Sequence, residues 1–282
     1  MDDVRTRPAV AWRGASPVER RATMVVVASL VGLAVLAYYL TARQAADMSS
    51  MATGLAQVGV RMPSTMGVPL FMSMWLVMVV AMMLPTVLPV VLTHRLVTLR
   101  RGEGWLPSAA FVGGYVVLWT LVGLGPLAAF IGFRDLAAGD PIARWLPTLS
   151  GAILIVAGLY QVSPLKNACL RVCRTPFDFI VSHDFDGGWR SGLLGGITHG
   201  AYCIGCCWAL MAVLLAVGLM NLVWMAVLAT IFMLEKNWRH GFAVSRAAAV
   251  VVTLLGLIIL VDPQVLVFIV GGQPPASAGG HM

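Results

Sequence analysis

Residues 193–218 read LLGGITHGAYCIGCCWALMAVLLAVG, twenty-six residues without a single Asp, Glu, Lys or Arg. As a helix this run covers ~39 Å, more than the ~30 Å hydrocarbon core of a bilayer. The same run carries one histidine and three cysteines between positions 199 and 208, HGAYCIGCCW. It therefore bears on architecture and on chemistry at once.

The rest of the chain extends the first point. Of its 282 residues, 59% are hydrophobic and 11% charged, against ~25% charged in a soluble domain. Hydropathy places apolar spans near 22–42, 69–93, 106–133, 147–163, 192–217, 221–235 and 245–262. The expected fold is an all-α polytopic membrane protein of about seven transmembrane helices in contact with the lipid bilayer. Its layout is a basic cytoplasmic tail (1–21), one transmembrane helical domain (22–271) and a disordered Gly/Pro/Ser/Ala tail (272–282). The first run, Ala22–Tyr39, is long for a signal-peptide core and is read as a retained anchor. Gly123, Gly125 and Pro126 offer a bend in the third span. Gly218–Asn221 makes a tight hairpin after the fifth, and Asp262-Pro263 interrupts the seventh.

The formal charge of +7 does not form one basic patch, which speaks against a nucleic-acid partner. The basic residues lie between the apolar runs instead. With the amino terminus inside, fifteen of the nineteen Lys and Arg residues fall on the inner side. That bias predicts amino terminus in, carboxyl terminus out. Nothing resembles a phosphate-binding Gly-rich loop, a Ser-His-Asp set or a dinucleotide fingerprint.

All five cysteines, at 169, 173, 203, 206 and 207, fall in two segments that this topology brings to the inner, reducing side. His94 ends the second span on that side, His183 lies in a connecting loop, and His240 reads as a solvated loop residue. On a helix, His199, Cys203 and Cys206 share a face with Cys207 at its edge, but His199 and Cys206 are ~10 Å apart in rise. Pairs at i,i+4 can share an ion, and His199/Cys203, Cys203/Cys207 and Cys169/Cys173 are such pairs. One pair from each segment gives a four-ligand site of sulfur and imidazole suited to copper(I), with zinc second. Any one cysteine taken alone is as well explained as a small buried hydrophobe. Confinement of all five to two segments, interleaved with histidine, favours a ligand or redox role.

Methionine adds a second soft feature. Nine of sixteen methionines fall between Met48 and Met83. Met74, Met78 and Met82 repeat on one helical face with Met83 beside them, and Met62, Met66 and Met72 extend the series outward. Thioether sulfur suits copper(I), although methionine is also an adaptable core filler. Pro85 and Pro89 interrupt helical hydrogen bonding just beyond. Glu235-Lys236 reads as an interfacial pair at the inner face, and Asp262 as an ordinary terminal carboxylate.

The strings GLYQVSPLKNACLRVCRTP (158–176), HGAYCIGCCWALM (199–211) and GLMNLVWMAVL (218–228), followed by Glu235-Lys236, resemble a bacterial family of uncharacterised domain proteins. That family is catalogued as predicted metal-binding integral membrane proteins, and VVAMMLPTVLPVVL (79–92) is similar to its first signature. The resemblance spans roughly Leu70 to Lys236. It implies signature positions at Met82, Met83, Pro85, Cys169, Cys173, His199, Cys203, Cys206, Cys207 and Trp208, and metal binding without a settled reaction. The leading expectation is copper(I) handling, by acquisition, transfer or delivery, with a copper chaperone or copper enzyme as partner. A thiol–quinone or copper-dependent membrane oxidoreductase is the alternative, resting on the C-x-x-C spacing of Cys203 and Cys206. Its weakness is that disulfides do not persist on the reducing side. A permease or scaffold subunit with structural cysteines is the third reading.

Overall fold

Glycines spaced four apart decide how the helices meet. The computed structural model describes residues 17–47, 68–137, 145–182, 187–217 and 222–266. They form α1 (Pro17–Asp47), α2 (Val68–Arg100), α3 (Leu106–Val122), α4 (Leu124–Ala137), α5 (Leu146–Tyr160), α6 (Pro164–Arg174), α7 (Pro176–Ser182), α8 (Gly188–Val217), α9 (Leu222–Asn237) and α10 (Gly241–Val261), with no strand among the described residues. His183, Met62, Met66, the tail 272–282 and most of the basic tail lie outside the described residues; Pro17–Arg21 of that tail begin α1.

The closest pair is α3 against α8. A Cβ at Gly192 would sit 2.1 Å from the Pro107 carbonyl oxygen, one at Gly196 1.9 Å from that of Phe111, and one at Gly200 2.9 Å from Leu118. Partner numbers rise together, so the two helices run parallel, backbone against backbone. Small residues at every fourth position are what permits that approach between apolar helices. A second glycine seam joins α5 to α10 in the antiparallel sense: Gly151 faces Gly256 and Leu260, while Gly158 faces Ala249 and Thr253. Aromatic side chains fill the space beside the first seam. Phe71, Trp75, Phe111, Tyr115 and Trp119 are buried, and the Trp75 indole N–H donates to the Trp119 carbonyl at 2.9 Å.

Among the described residues, five helices are long and apolar enough to cross a membrane, and a sixth span exists if the bent pair α5–α6 counts as one. The sequence predicts about seven spans (six to eight); the described residues support five to six. The segment expected at 221–235 forms α9, only 16 residues long, which is ~24 Å against the ~30 Å a span needs. The third expected span does break at Gly123, between α3 and α4. The fourth turns by 62° between Tyr160 and Pro164, where Ser163 caps α6 by accepting the Lys166 N–H at 3.1 Å. Proline does not end α2, which runs on through Pro85 and Pro89. Helix α10 stops before Asp262-Pro263, as its sequence predicts.

Candidate metal centre

Positions i, i+3 and i+4 lie on one helical face, and α8 places Cys203, Cys206 and Cys207 there. Their sulfurs all lie within 4.8 Å of one another, and all three residues are buried. The thiols of Cys206 and Cys207 donate to the Cys203 carbonyl at 3.1 and 2.9 Å, which folds both side chains back over the preceding turn. The cluster thus comes from one helix, where the spacing argument looked to i,i+4 pairs from two.

Three other helices close on it. From α6, Cys173 Sγ lies 3.9 Å from Cys206 Sγ. From α3, the Tyr115 hydroxyl lies 3.0 Å from Cys203 Sγ. From α9, Lys236 Nζ donates to Cys203 Sγ at 3.0 Å and to Thr86 Oγ1 at 3.2 Å, with Met83 Sδ at 3.9 Å. Cys169 does not join them. It is half-buried against Gly205, where a Cβ would come within 2.6 Å of its Sγ. Gly205→Ala is expected to be tolerated at about 1 kcal/mol, because the obstacle is one sulfur that can change rotamer. Faster alkylation of Cys169 in the variant would register that displacement.

Sulfur is soft enough for copper(I) or zinc. A metal–sulfur bond of ~2.3 Å places the sulfurs of a three-coordinate ion ~4 Å apart. Three sulfurs already within 4.8 Å reach that spacing by moves of less than ~1 Å each. The donor set fits the ion that its chemistry suggests.

Other expected ligands are placed differently. His199 is buried one turn before Cys203, outside the three-sulfur group. Its ring packs edge-on to Phe179 at 5.0 Å and lies near Phe111 and Tyr115, and its Nδ1 has no hydrogen-bond partner among the described residues. His94 packs on Phe111 at 4.8 Å, faces Ser108 Oγ at 3.4 Å, and lines a small pocket with Thr98, Glu103 and Gly187. Met78, Met82 and Met83 belong to the same buried core as the cysteines, and Met83 reaches Lys236. His240 is exposed, with its Nε2 accepting from Arg239 at 2.8 Å.

The residues that sequence reasoning missed are the charged and hydroxylic ones. Lys166 and Glu235 form a buried ion pair at 2.8 Å, and Gln161 binds both, its Nε2 donating to Glu235 at 3.2 Å while its Oε1 accepts from Lys166. Arg174 donates to the carbonyls of Glu235 and Arg239, closing the end of α9. Lys236, read as interfacial, is only 6% exposed. The signal for these was available. Ionisable residues at the ends of apolar segments become functional candidates once they turn inward.

Comparison with known proteins bears on the same region. No curated protein and no solved structure matches the chain. The family model of PpoB2, described as a copper chaperone, matches residues 72–259 and so takes in every helix that builds the sulfur cluster. The resemblance drawn from the signature strings agrees with that description in metal binding. The chain belongs to the PpoB2 copper chaperone family.

Proposed function

We propose that this protein is a multi-pass membrane protein that takes up copper(I) as cargo on Cys203, Cys206 and Cys207 and passes it to a partner. The observation that carries the reading is the buried three-sulfur cluster inside a chain of the copper chaperone family. A chaperone must release its ion, and release from soft ligands proceeds by stepwise exchange of one sulfur for another. Cys173, on a different helix and 3.9 Å from Cys206, is the exchange ligand. Half-buried Cys169, one turn earlier on α6, extends the path outward, and His199 and His94 flank the route at the arginine-rich end. Met78, Met82 and Met83 wall the cluster with polarizable thioether. The ion's giver or receiver is a copper chaperone or a copper enzyme.

Membrane placement is supported by the surface. Large apolar side chains are exposed along α1 and α10, among them Val25, Leu36, Val250 and Leu254. Apolar surface on that scale belongs against lipid rather than water. The Lys and Arg bias puts the amino terminus and the outer end of α6 on the cytoplasmic side of a bacterial inner membrane. There the thiols stay reduced and able to bind metal.

The deciding experiment is elemental analysis of detergent-purified protein reconstituted with copper(I). The expected result is about one copper per chain in the wild type and a loss of at least ~90% in a Cys203→Ser/Cys206→Ser/Cys207→Ser variant, in line with thiolate sulfur being the preferred donor. A wild type that retains no copper, or a triple variant that retains it all, rejects the reading.

A further inference from the structure

Lys236 is a buried cation whose neighbours leave its charge unanswered. Its ammonium touches Cys203 Sγ, Thr86 Oγ1 and Met83 Sδ, and stands 5.9 Å from the Phe232 ring centroid. The adjacent carboxylate does not serve it. Consecutive helical residues point ~100° apart, and Glu235 is committed to Lys166 at 2.8 and 2.9 Å and to Gln161. Among the described residues, the ion pair in this core is Lys166–Glu235. An uncompensated buried charge is strongly destabilising, so the anion that balances Lys236 has to come from the sulfur cluster it faces.

The charges of the loaded site make the consequence definite. Cysteine binds metal as thiolate. Copper(I) on the three thiolates of Cys203, Cys206 and Cys207 carries a net charge of −2, and the ammonium beside it reduces the buried assembly to −1. Without that ammonium the same complex is a bare buried anion. A divalent ion on the same three thiolates carries only −1, so the attraction of the neighbouring ammonium for it is about half as large. A fixed cation at this point therefore favours a monovalent ion over a divalent one. The ammonium has no lone pair and cannot ligate the metal; it acts through the charge it places beside Cys203.

We propose that Lys236 is the built-in counter-cation of the sulfur cluster, a positioning residue that sets affinity for copper(I) and discrimination against zinc. This inference rests on the copper reading above and adds the residue that tunes the site. Its test is competition of the detergent-purified full-length protein against a chromophoric copper(I) chelator, with a parallel zinc titration. Lys236→Met is expected to weaken copper(I) binding by at least ~100-fold and zinc binding by a markedly smaller factor. Lys236→Arg restores copper affinity to within about tenfold. Lys236→Gln, which keeps a polar head against Thr86 but no charge, is expected to behave as Lys236→Met and supplies the neutral variant should the methionine form not fold. Copper affinity that is unchanged in a folded neutral variant overturns the proposal. So does an arginine variant as weak as the neutral ones, or a neutral variant that loses copper and zinc in equal proportion. A wild type without copper would instead remove the reading beneath it, so the two failures are distinct.

Discussion

A Gly196→Leu protein is expected to lose the native helix bundle, recovered after extraction as aggregate rather than as a monodisperse peak. Its Cβ alone would lie 1.9 Å from the Phe111 carbonyl oxygen and 3.0 Å from the Tyr115 amide nitrogen. Those obstacles are backbone atoms of α3, which cannot rotate aside, so α3 and α8 would have to separate. Separation is not local. Gly192 makes the same approach to backbone one turn earlier, Gly200 meets the Leu118 side chain one turn later, and Gly114 of α3 returns the contact, its Cβ position 2.2 Å from the Leu193 carbonyl oxygen. The smaller change Gly196→Ala weighs two effects against each other. Removing a helical glycine gains about 1 kcal/mol, while forcing a methyl into a filled seam costs about 1–3 kcal/mol, with contact to backbone at the high end. The expected net is a loss of about 2 kcal/mol. Gly113→Ala is the internal control. It is on the partner helix α3, a Cβ there meets nothing within 4 Å, and only the propensity gain of up to about 1 kcal/mol applies. Unfolding curves in detergent that rank Gly113→Ala at or above wild type and Gly196→Ala well below would establish the seam. Equal stability of the two would refute it.

That seam also explains why the site was only partly legible in the sequence. The facial spacing of Cys203, Cys206 and Cys207 is a property of one helix, and helical periodicity displays it directly. Which side chains the neighbouring helices bring to that face depends on their register. The parallel α3–α8 contact sets Tyr115 on Cys203, eighty-eight positions away, and no local pattern announces it. The pair Cys169/Cys173 shows the complementary effect. Its i,i+4 spacing suggests two ligands acting together, yet the 62° turn before α6 tips that helix so that Cys173 reaches Cys206 while Cys169 rests on Gly205. His199 looks like a ligand by sequence proximity, and its ring instead packs among Phe111, Tyr115 and Phe179. Lys236 ends an apolar run, the usual place for an interfacial cation. Its helix α9 is too short to carry that end past the bundle, and packing against α2 holds it beside Thr86 and Met83 instead. Five apolar spans and the Gly123 break, by contrast, follow from composition and local chemistry alone.

Glu235→Gln is expected to destabilise the protein by about 3–5 kcal/mol, the cost of breaking a buried ion pair from one side. The Lys166 side chain is fully buried and Glu235 nearly so, so solvent screening does not soften the loss. The glutamine amide offers one neutral acceptor oxygen in place of two charged ones, so the Lys166 ammonium keeps hydrogen bonds there and to Gln161 but loses its counter-charge. The Gln161 amide competes with Lys166 for that single oxygen. Removing both charges is a different experiment. Lys166→Met with Glu235→Leu deletes the desolvation penalty together with the attraction, and such replacements are commonly neutral or stabilising by about 1–4 kcal/mol. The double variant should therefore be more stable than Glu235→Gln, giving a coupling well outside additivity in a double-mutant cycle. Copper separates the two roles of this neighbourhood. Lys166 and Glu235 cancel one another, so their joint removal leaves the charge facing the sulfurs unchanged, and the folded double variant is expected to bind copper(I) within about threefold of wild type. Glu235→Gln is not neutral in this sense. It frees a second buried cation beside Gln161, and if any folded fraction survives, its copper affinity should shift away from that of the double variant. Equal stabilities for the single and double variants would show that Lys166 finds another partner, and that the pair does not organise the junction of α6 with α9.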